Sequence, residues 1–373
     1  MRETLKKHII NARGSRLDQK YVVFESDDWG AIRIPNLETR DELLQKGLTR
    51  KNDPFSQCDS LETTQDYQML FEVLKKHKDG KGQHPVITAN FILNNPNFNK
   101  IAAENFQQYY SESFKETYKN YAGSEKACEA LNKGINDQLI MPQFHGSEHL
   151  NVVRWMNKLK AGDERFRFAF EKKCYAIDEI GNENRRQNLM AAYDYNNDLE
   201  LDFVQKSIRK GLNQFEEIFG FKSLTNISPC YVWDTQVEQE LLKGGVKGFQ
   251  GSFLQNCPTF GESFKKKYRY IGQLNKDKQL YFVRNCLFEP SLNTNIDWVS
   301  KCMESIDIAF KWGKPAIVGA HRINFAGRLG LEQRDKNLEM LDQLLTKITK
   351  KWDNIQFISS DNLLKKYIDV KNF

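Results

Sequence analysis

Histidine is scarce in this chain of 373 residues, which carries six. Cysteine is present seven times, at positions 58, 128, 174, 230, 257, 286 and 302, but no two form a CxxC pair. That spacing excludes a zinc ribbon and a disulfide scaffold, and the odd count fits a reducing compartment. No apolar run approaches the ~20 residues needed to cross a bilayer. The stretch from Met1 to Lys20 is charged and has no signal-type apolar core. A cytoplasmic protein with no membrane partner is therefore expected. A strong charge of one sign is also missing: the net charge is +6. The one dense basic run, Lys265 to Lys267, reads as a solvated loop, and no nucleic-acid recognition module is visible. Nucleic acid is not an expected partner.

What the chain does have is enough apolar material for a core, 40% hydrophobic and 12% aromatic residues. Short β-rich runs alternate with longer amphipathic segments. Strands are expected at 21–26, 85–93, 139–144, 226–228, 248–253, 280–283, 315–320 and 355–359. Helices are expected at 66–76, 150–159, 201–218, 237–242, 298–311 and 331–349, with a capped final helix after Asp361. The long helix carries Leu201, Val204, Ile208, Leu212, Phe215 and Ile218 on one stripe. Residues 101–135 look helical and aromatic-rich. About seven or eight strand-then-helix units without a Gly/Pro-rich linker predict an α/β protein with a single β/α barrel. Residues 1–19 are read as an N-terminal extension, and about 100–138 and 163–196 as insertions within one domain spanning 1–373.

The chemistry-bearing residues fall at the C-terminal ends of these strands, where a β/α barrel builds its site. The pentad His145-Gly146-Ser147-Glu148-His149 follows an apolar run. If the chain turns helical there, residues i and i+4 share a face and both rings can reach one metal ion. Asp27-Asp28 ends the first strand. One carboxylate can complete a three-ligand set and the other can act as general base. His321 ends another strand and suits a general acid, and its neighbour Arg322 could pair with a carboxylate.

These elements resemble the polysaccharide deacetylases of carbohydrate esterase family 4. Ser26-Asp27-Asp28-Trp29-Gly30 is similar to the family's first motif and His145-Gly146-Ser147-Glu148-His149 to its His-x-x-x-His motif. Ser228-Pro229-Cys230-Tyr231 is similar to the third motif, Asp297-Trp298 to the fourth and Val318-Gly319-Ala320-His321 to the fifth. The resemblance spans roughly residues 20–365 and implies a distorted (β/α)7 barrel. It implies Asp27 as base, and Asp28, His145 and His149 as ligands of one divalent ion, zinc or similar. Tyr231 would serve the oxyanion site through its backbone N–H, and His321 would protonate the leaving group. The implied substrate is an acylated saccharide or glycan precursor, losing an N- or O-acetyl group.

The chain departs from the pattern in three places. Trp29 follows the two aspartates where the family has Gly, and Ser228 stands where an arginine orients the base, with Arg322 as a possible substitute. The 117 positions from Asp28 to His145 imply inserted helices. Trp29, Tyr231, Trp233 and Phe325 are candidates to stack on sugar rings. Three other readings remain. One is a His-x-x-Glu-His zinc peptidase with Glu148 as base. Another is a glycan-binding barrel without catalysis, and the third a glycosidase pairing Asp27 or Asp28 with Asp234 or Glu289.

Overall fold

The first strand explains the rest of the sheet. Tyr21-Val22-Val23-Phe24 is β-branched and aromatic, favours extended backbone, and forms part of the strand Lys20–Trp29, buried along nearly all its length. The structure, a computed structural model, describes residues 2–177 and 188–371. Lys20–Trp29 pairs in parallel with Ile87–Ile92 on one side and Ala316–His321 on the other. Beyond Ile87–Ile92 the order continues through Ile140–Gly146, Thr225–Ile227 and Gly248–Gln250, all parallel. The fold is thus mixed α/β with a parallel central sheet.

One extended stretch joins the two ends of that sheet. Leu280–Tyr281 pairs with Gly248–Gln250, and the amides of Phe282 and Arg284 donate to the carbonyls of Phe249 and Gly251 at 2.7 and 2.8 Å. A few residues on, Cys286–Leu287 pairs with Ala316–His321. Among the described residues, counting 280–287 once, seven staves surround the interior and carry their C-terminal ends to the same rim. Ile355–Phe357 adds to the early part of Lys20–Trp29.

Helices cover the outer face for the reason their periodicity predicts. Asp198–Phe219 buries Leu201, Val204, Ile208, Leu212 and Phe215 along one stripe, each worth about 1.5–3 kcal/mol when removed from water. Asn197 caps its first turn and Gly220, in the left-handed region, ends it.

Four expectations are refined. The 101–135 region is not one helix but Phe98–Ala103, Phe114–Asn120 and Ala127–Asn136, the first two separated by the ribbon strand Ser111–Ser113, which pairs with Asn94–Pro96. Left-handed backbone at Asn105, Phe106 and Gly123 breaks the helical path. Lys265–Lys267 is not a loop: Lys265–Tyr268 pairs antiparallel with Leu254–Cys257, with lysine side chains turned largely to solvent. Within 163–196, Glu164–Glu171 is helical, and positions 178–187 lie outside the described residues. Part of the 1–19 extension forms the helix Arg2–Ala12, held by Lys7 Nζ to Glu304 at 2.6 Å and Asn285 Nδ2 to Asn11 Oδ1 at 2.8 Å.

Candidate functional site

The strand Lys20–Trp29 carries Asp27 and Asp28 to the rim, and Asp28 adopts φ +73°. Left-handed backbone is uncommon for a residue other than glycine, and here two adjacent carboxylates are buried with different partners. His145 lies on the strand Ile140–Gly146, and its Nδ1 donates to the Ile227 carbonyl at 2.7 Å. Because a carbonyl only accepts, that bond places the ring proton on Nδ1 and leaves the Nε2 lone pair free. Nε2 faces Asp28 Oδ1 at 3.3 Å, and His149 Nε2 approaches the same oxygen at 3.1 Å.

The convergence arises differently from the helical expectation. No helix contains the pentad: Gly146, at φ +126°, turns the chain, and the next helix starts at Val152. The two rings meet edge to face, centroids 5.0 Å apart.

Asp28, His145 and His149 are all buried, with ligand atoms within 4.8 Å of one another. Burial opposes the Asp28 charge, but His149, His145 and Arg33 outweigh it and hold the carboxyl well below the usual range. Burial depresses His149, which favours the neutral ring that a metal needs. A lone pair of His145 aimed at a carboxylate oxygen is repulsive unless a cation or proton lies between them. The donor set of two imidazoles and one carboxylate fits a divalent ion such as zinc.

Asp27 is bound quite differently. Arg284 grips both oxygens at 2.6 Å, and Asn90 Nδ2 donates to Oδ1 at 2.8 Å. Burial pushes this carboxyl up, but Arg284, His145 and His321 overcome it and hold it below its ordinary value. On the adjacent strand His321, register partner of Asp27, brings Nε2 to 3.8 Å from Asp27 Oδ2. Its Nδ1 is tied to Glu289 Oε1 at 2.6 Å, and Glu289 is itself held by Asn324 at 2.7 Å. Burial works against the imidazolium, yet Glu289 and the two aspartates raise its pKa to about 9.

Asp27, Asp28, His145, His149 and His321 share a cavity of about 310 Å³, with Arg33, Phe55 and Tyr231 also in its wall. Several candidate residues are elsewhere. Trp29 is fully buried, stacked on Tyr67 and donating to Ser26 Oγ. Trp233 is buried against Phe249, and Phe325 is also in the core. None of the three reaches the cavity, because their large apolar rings are used in packing.

Arg322 does not orient Asp27 either. It is fully buried and bonded to Asp59, Glu62 and the Ala31 carbonyl. Tyr231 lines the cavity, but its backbone N–H already donates to the Ser228 carbonyl at 2.9 Å. That hydrogen bond conflicts with the expected oxyanion contact. Asp297 caps the helix Trp298–Lys311 at the surface, and Asp234 caps Thr235–Lys243. Glu148 accepts from Ser207 at 3.2 Å and lines a different cavity with Tyr109 and Lys210.

Arg284 was not anticipated from the sequence, nor was the bond between Glu289 and His321. A signal for the first existed: Arg284 directly follows the strand-like 280–283, the rim position that marked the other site residues.

No protein-family model matches the chain, and no curated protein matches it by sequence. Solved structures do align with it at low identity. A 4-alpha-glucanotransferase from Thermococcus litoralis aligns at 9% identity over 95% of this chain and 40% of that one, TM-score 0.44. This chain thus spans well under half of that enzyme. A candidate polysaccharide deacetylase from Mycobacterium smegmatis aligns at 10% identity over 96% of this chain and 93% of its own, TM-score 0.43. A GH57 branching enzyme from Thermococcus kodakaraensis aligns at 11% identity over 93% and 71%, TM-score 0.45.

Proposed function

We propose that this protein is a metal-dependent hydrolase that removes an acyl group from a saccharide. One observation carries the reading: the buried Asp28, His145 and His149 group opens on the same cavity as Asp27 and His321. When bound there, a divalent ion, with zinc the best match to the donors, supplies a Lewis acid for the acyl oxygen. The remaining steps belong to the chain.

Asp27, kept anionic by Arg284 and oriented by Asn90, takes a proton from the attacking water as its oxygen bonds to the acyl carbon. The C–N or C–O bond then breaks, and His321 gives its Nε2 proton to the leaving nitrogen or oxygen. Glu289 on Nδ1 fixes the ring so that Nε2 carries that proton towards the cavity. The saccharide assignment is supported by the motif resemblance and by the aromatic residues Phe55 and Tyr231 in the wall.

The competing readings fit less well. A peptidase base at Glu148 would sit in another cavity. A glycosidase would need a carboxylic acid ready to protonate the leaving group, whereas Asp27 is held ionised and Glu289 is buried against His321. The non-catalytic barrel is disfavoured because Arg284 supplies the guanidinium on Asp27 that Ser228 cannot.

The test combines elemental analysis with acetate release from acetylated sugars, for wild type, Asp28→Ala and Asp27→Asn. The expected result is about one metal per wild-type chain, lost in Asp28→Ala. Asp27→Asn should keep the metal and lose about 10²–10⁴-fold in kcat. A wild-type protein that takes up no zinc, cobalt or nickel on reconstitution would refute the proposal.

A further inference from the structure

Among the described residues of the cavity wall, one cation, Arg33, has no part in the chemistry above. Arg33 lies in the loop after Lys20–Trp29, 12% exposed in its side chain, and lines the wall beside Asp28. Its Nε is 3.0 Å from Asp59 Oδ2 and its Nη2 3.7 Å from Asp28 Oδ2. Neither contact has hydrogen-bond geometry, and Asp59 Oδ2 has no hydrogen-bond partner among the described residues. The guanidinium carbon Cζ sits over the Phe55 ring, 4.8 Å from its centroid, and Phe55 in turn packs its ring against His321.

The contrast with two buried arginines, Arg284 and Arg322, is informative. Arg284 binds Asp27 through two nitrogens and Glu25 through a third, and Arg322 is bonded to two carboxylates and a carbonyl. A guanidinium has five N–H donors, and leaving them unmet in a largely desolvated place is costly. Arg33 is held by stacking and charge while its donors stay available.

We propose that Arg33 is a specificity-determining residue that receives an anionic group, a carboxylate or phosphate, carried by the substrate near its acyl group. This rests on the acyl-hydrolase reading of the same cavity. The substrate class is then an acylated acidic sugar, such as a uronate or a sugar phosphate. A guanidinium fork matches both anions in bidentate geometry. A cavity of about 310 Å³ is at the small end for ligand sites and suits one ring with its acyl group rather than a chain.

Calorimetric titration of the metal-loaded protein tests this with N-acetylglucosamine, its uronic acid and its 6-phosphate. Wild type should bind at least one of the two anionic sugars about tenfold or more tighter than the neutral one. Which anionic sugar is preferred tells carboxylate from phosphate. Arg33→Gln should bring that ratio close to one. Arg33→Lys keeps the charge beside Asp59 but not the fork, so it should retain the melting temperature and metal content while losing most of the preference. Equal binding of the three sugars, no binding of either anionic sugar, or a preference that survives in Arg33→Gln would each overturn the proposal. Metal content and acetate release in the same samples separate the two readings. An Arg33-dependent preference in a protein that neither binds metal nor releases acetate supports the anion site and refutes the hydrolase. Acetate release with no preference does the reverse.

Discussion

Replacing Glu289 with glutamine removes a charge and little else, which isolates what holds His321 protonated. Burial by itself would depress the imidazole below its usual value of 6.5; Glu289 at 2.6 Å and Asp27 at 3.8 Å reverse that and hold it at about 9. At about 1.4 kcal/mol per unit, the net effect is about 3 kcal/mol in favour of the charged ring. Asp27 is already matched by Arg284, so most of the attraction comes from Glu289. Glutamine can still accept from Nδ1–H but brings no charge. The His321 pKa should therefore fall by about two units or more, to the ordinary value or below it.

The assay is a proton NMR titration of the ring signals in chelator-treated protein. Only six histidines contribute, and His321→Gln identifies the signal. Stability should follow by linkage. His321 has a folded pKa above its unfolded value, so its contribution is full below about pH 6.5 and is lost as pH rises through about 9. Wild type should lose up to about 3 kcal/mol from this group across that window, and Glu289→Gln should not. A wild-type His321 that titrates at or below 6.5, or a shift of less than one unit in Glu289→Gln, would refute the reasoning.

Arg284→Met should destabilise the fold by about 3–5 kcal/mol in urea melts, because it leaves Glu25 without its buried ion pair and Asp27 with only the more distant His321; a cost under 1 kcal/mol would contradict the pairing. Gly146→Ala should weaken metal uptake measured by equilibrium dialysis, since φ is +126° and the new Cβ would lie 3.0 Å from the Glu148 carbonyl. The strain is of order 1–3 kcal/mol, and metal affinity equal to wild type would argue that the turn does not position the two rings.

Much of the scaffold was legible because its signals are local. The stripe from Leu201 to Phe215 could bury its apolar face in only one way, and it does so within Asp198–Phe219. The alternation of strand and helix likewise foreshadowed a parallel sheet with its site residues at one rim. The 101–135 region is largely helical as expected, but its division into Phe98–Ala103, Phe114–Asn120 and Ala127–Asn136 was not legible. Left-handed residues such as Asn105 and Phe106 carry no marker as plain as glycine. The exposed strand Lys265–Tyr268 was misread because its pairing with Leu254–Cys257 depends on a partner, not on its own composition.

At the candidate site, residue types and spacing singled out Asp27, Asp28, His145, His149 and His321, which the structure brings to one cavity, since few side chains can bind a metal or move protons and six histidines leave little choice. The motif resemblance pointed to an arginine absent at 228, and only the tertiary structure showed that Arg284 reaches Asp27 while Arg322 is committed to Asp59 and Glu62. It also decided that Trp29 and Trp233 pack the core, that Glu289 charges His321, and that Arg33 faces the cavity with unmet donors. The reason is physical. Chemistry is a property of a side chain and can be read one residue at a time, whereas burial, pairing and pKa depend on neighbours that are far apart in the chain, 257 positions for Asp27 and Arg284.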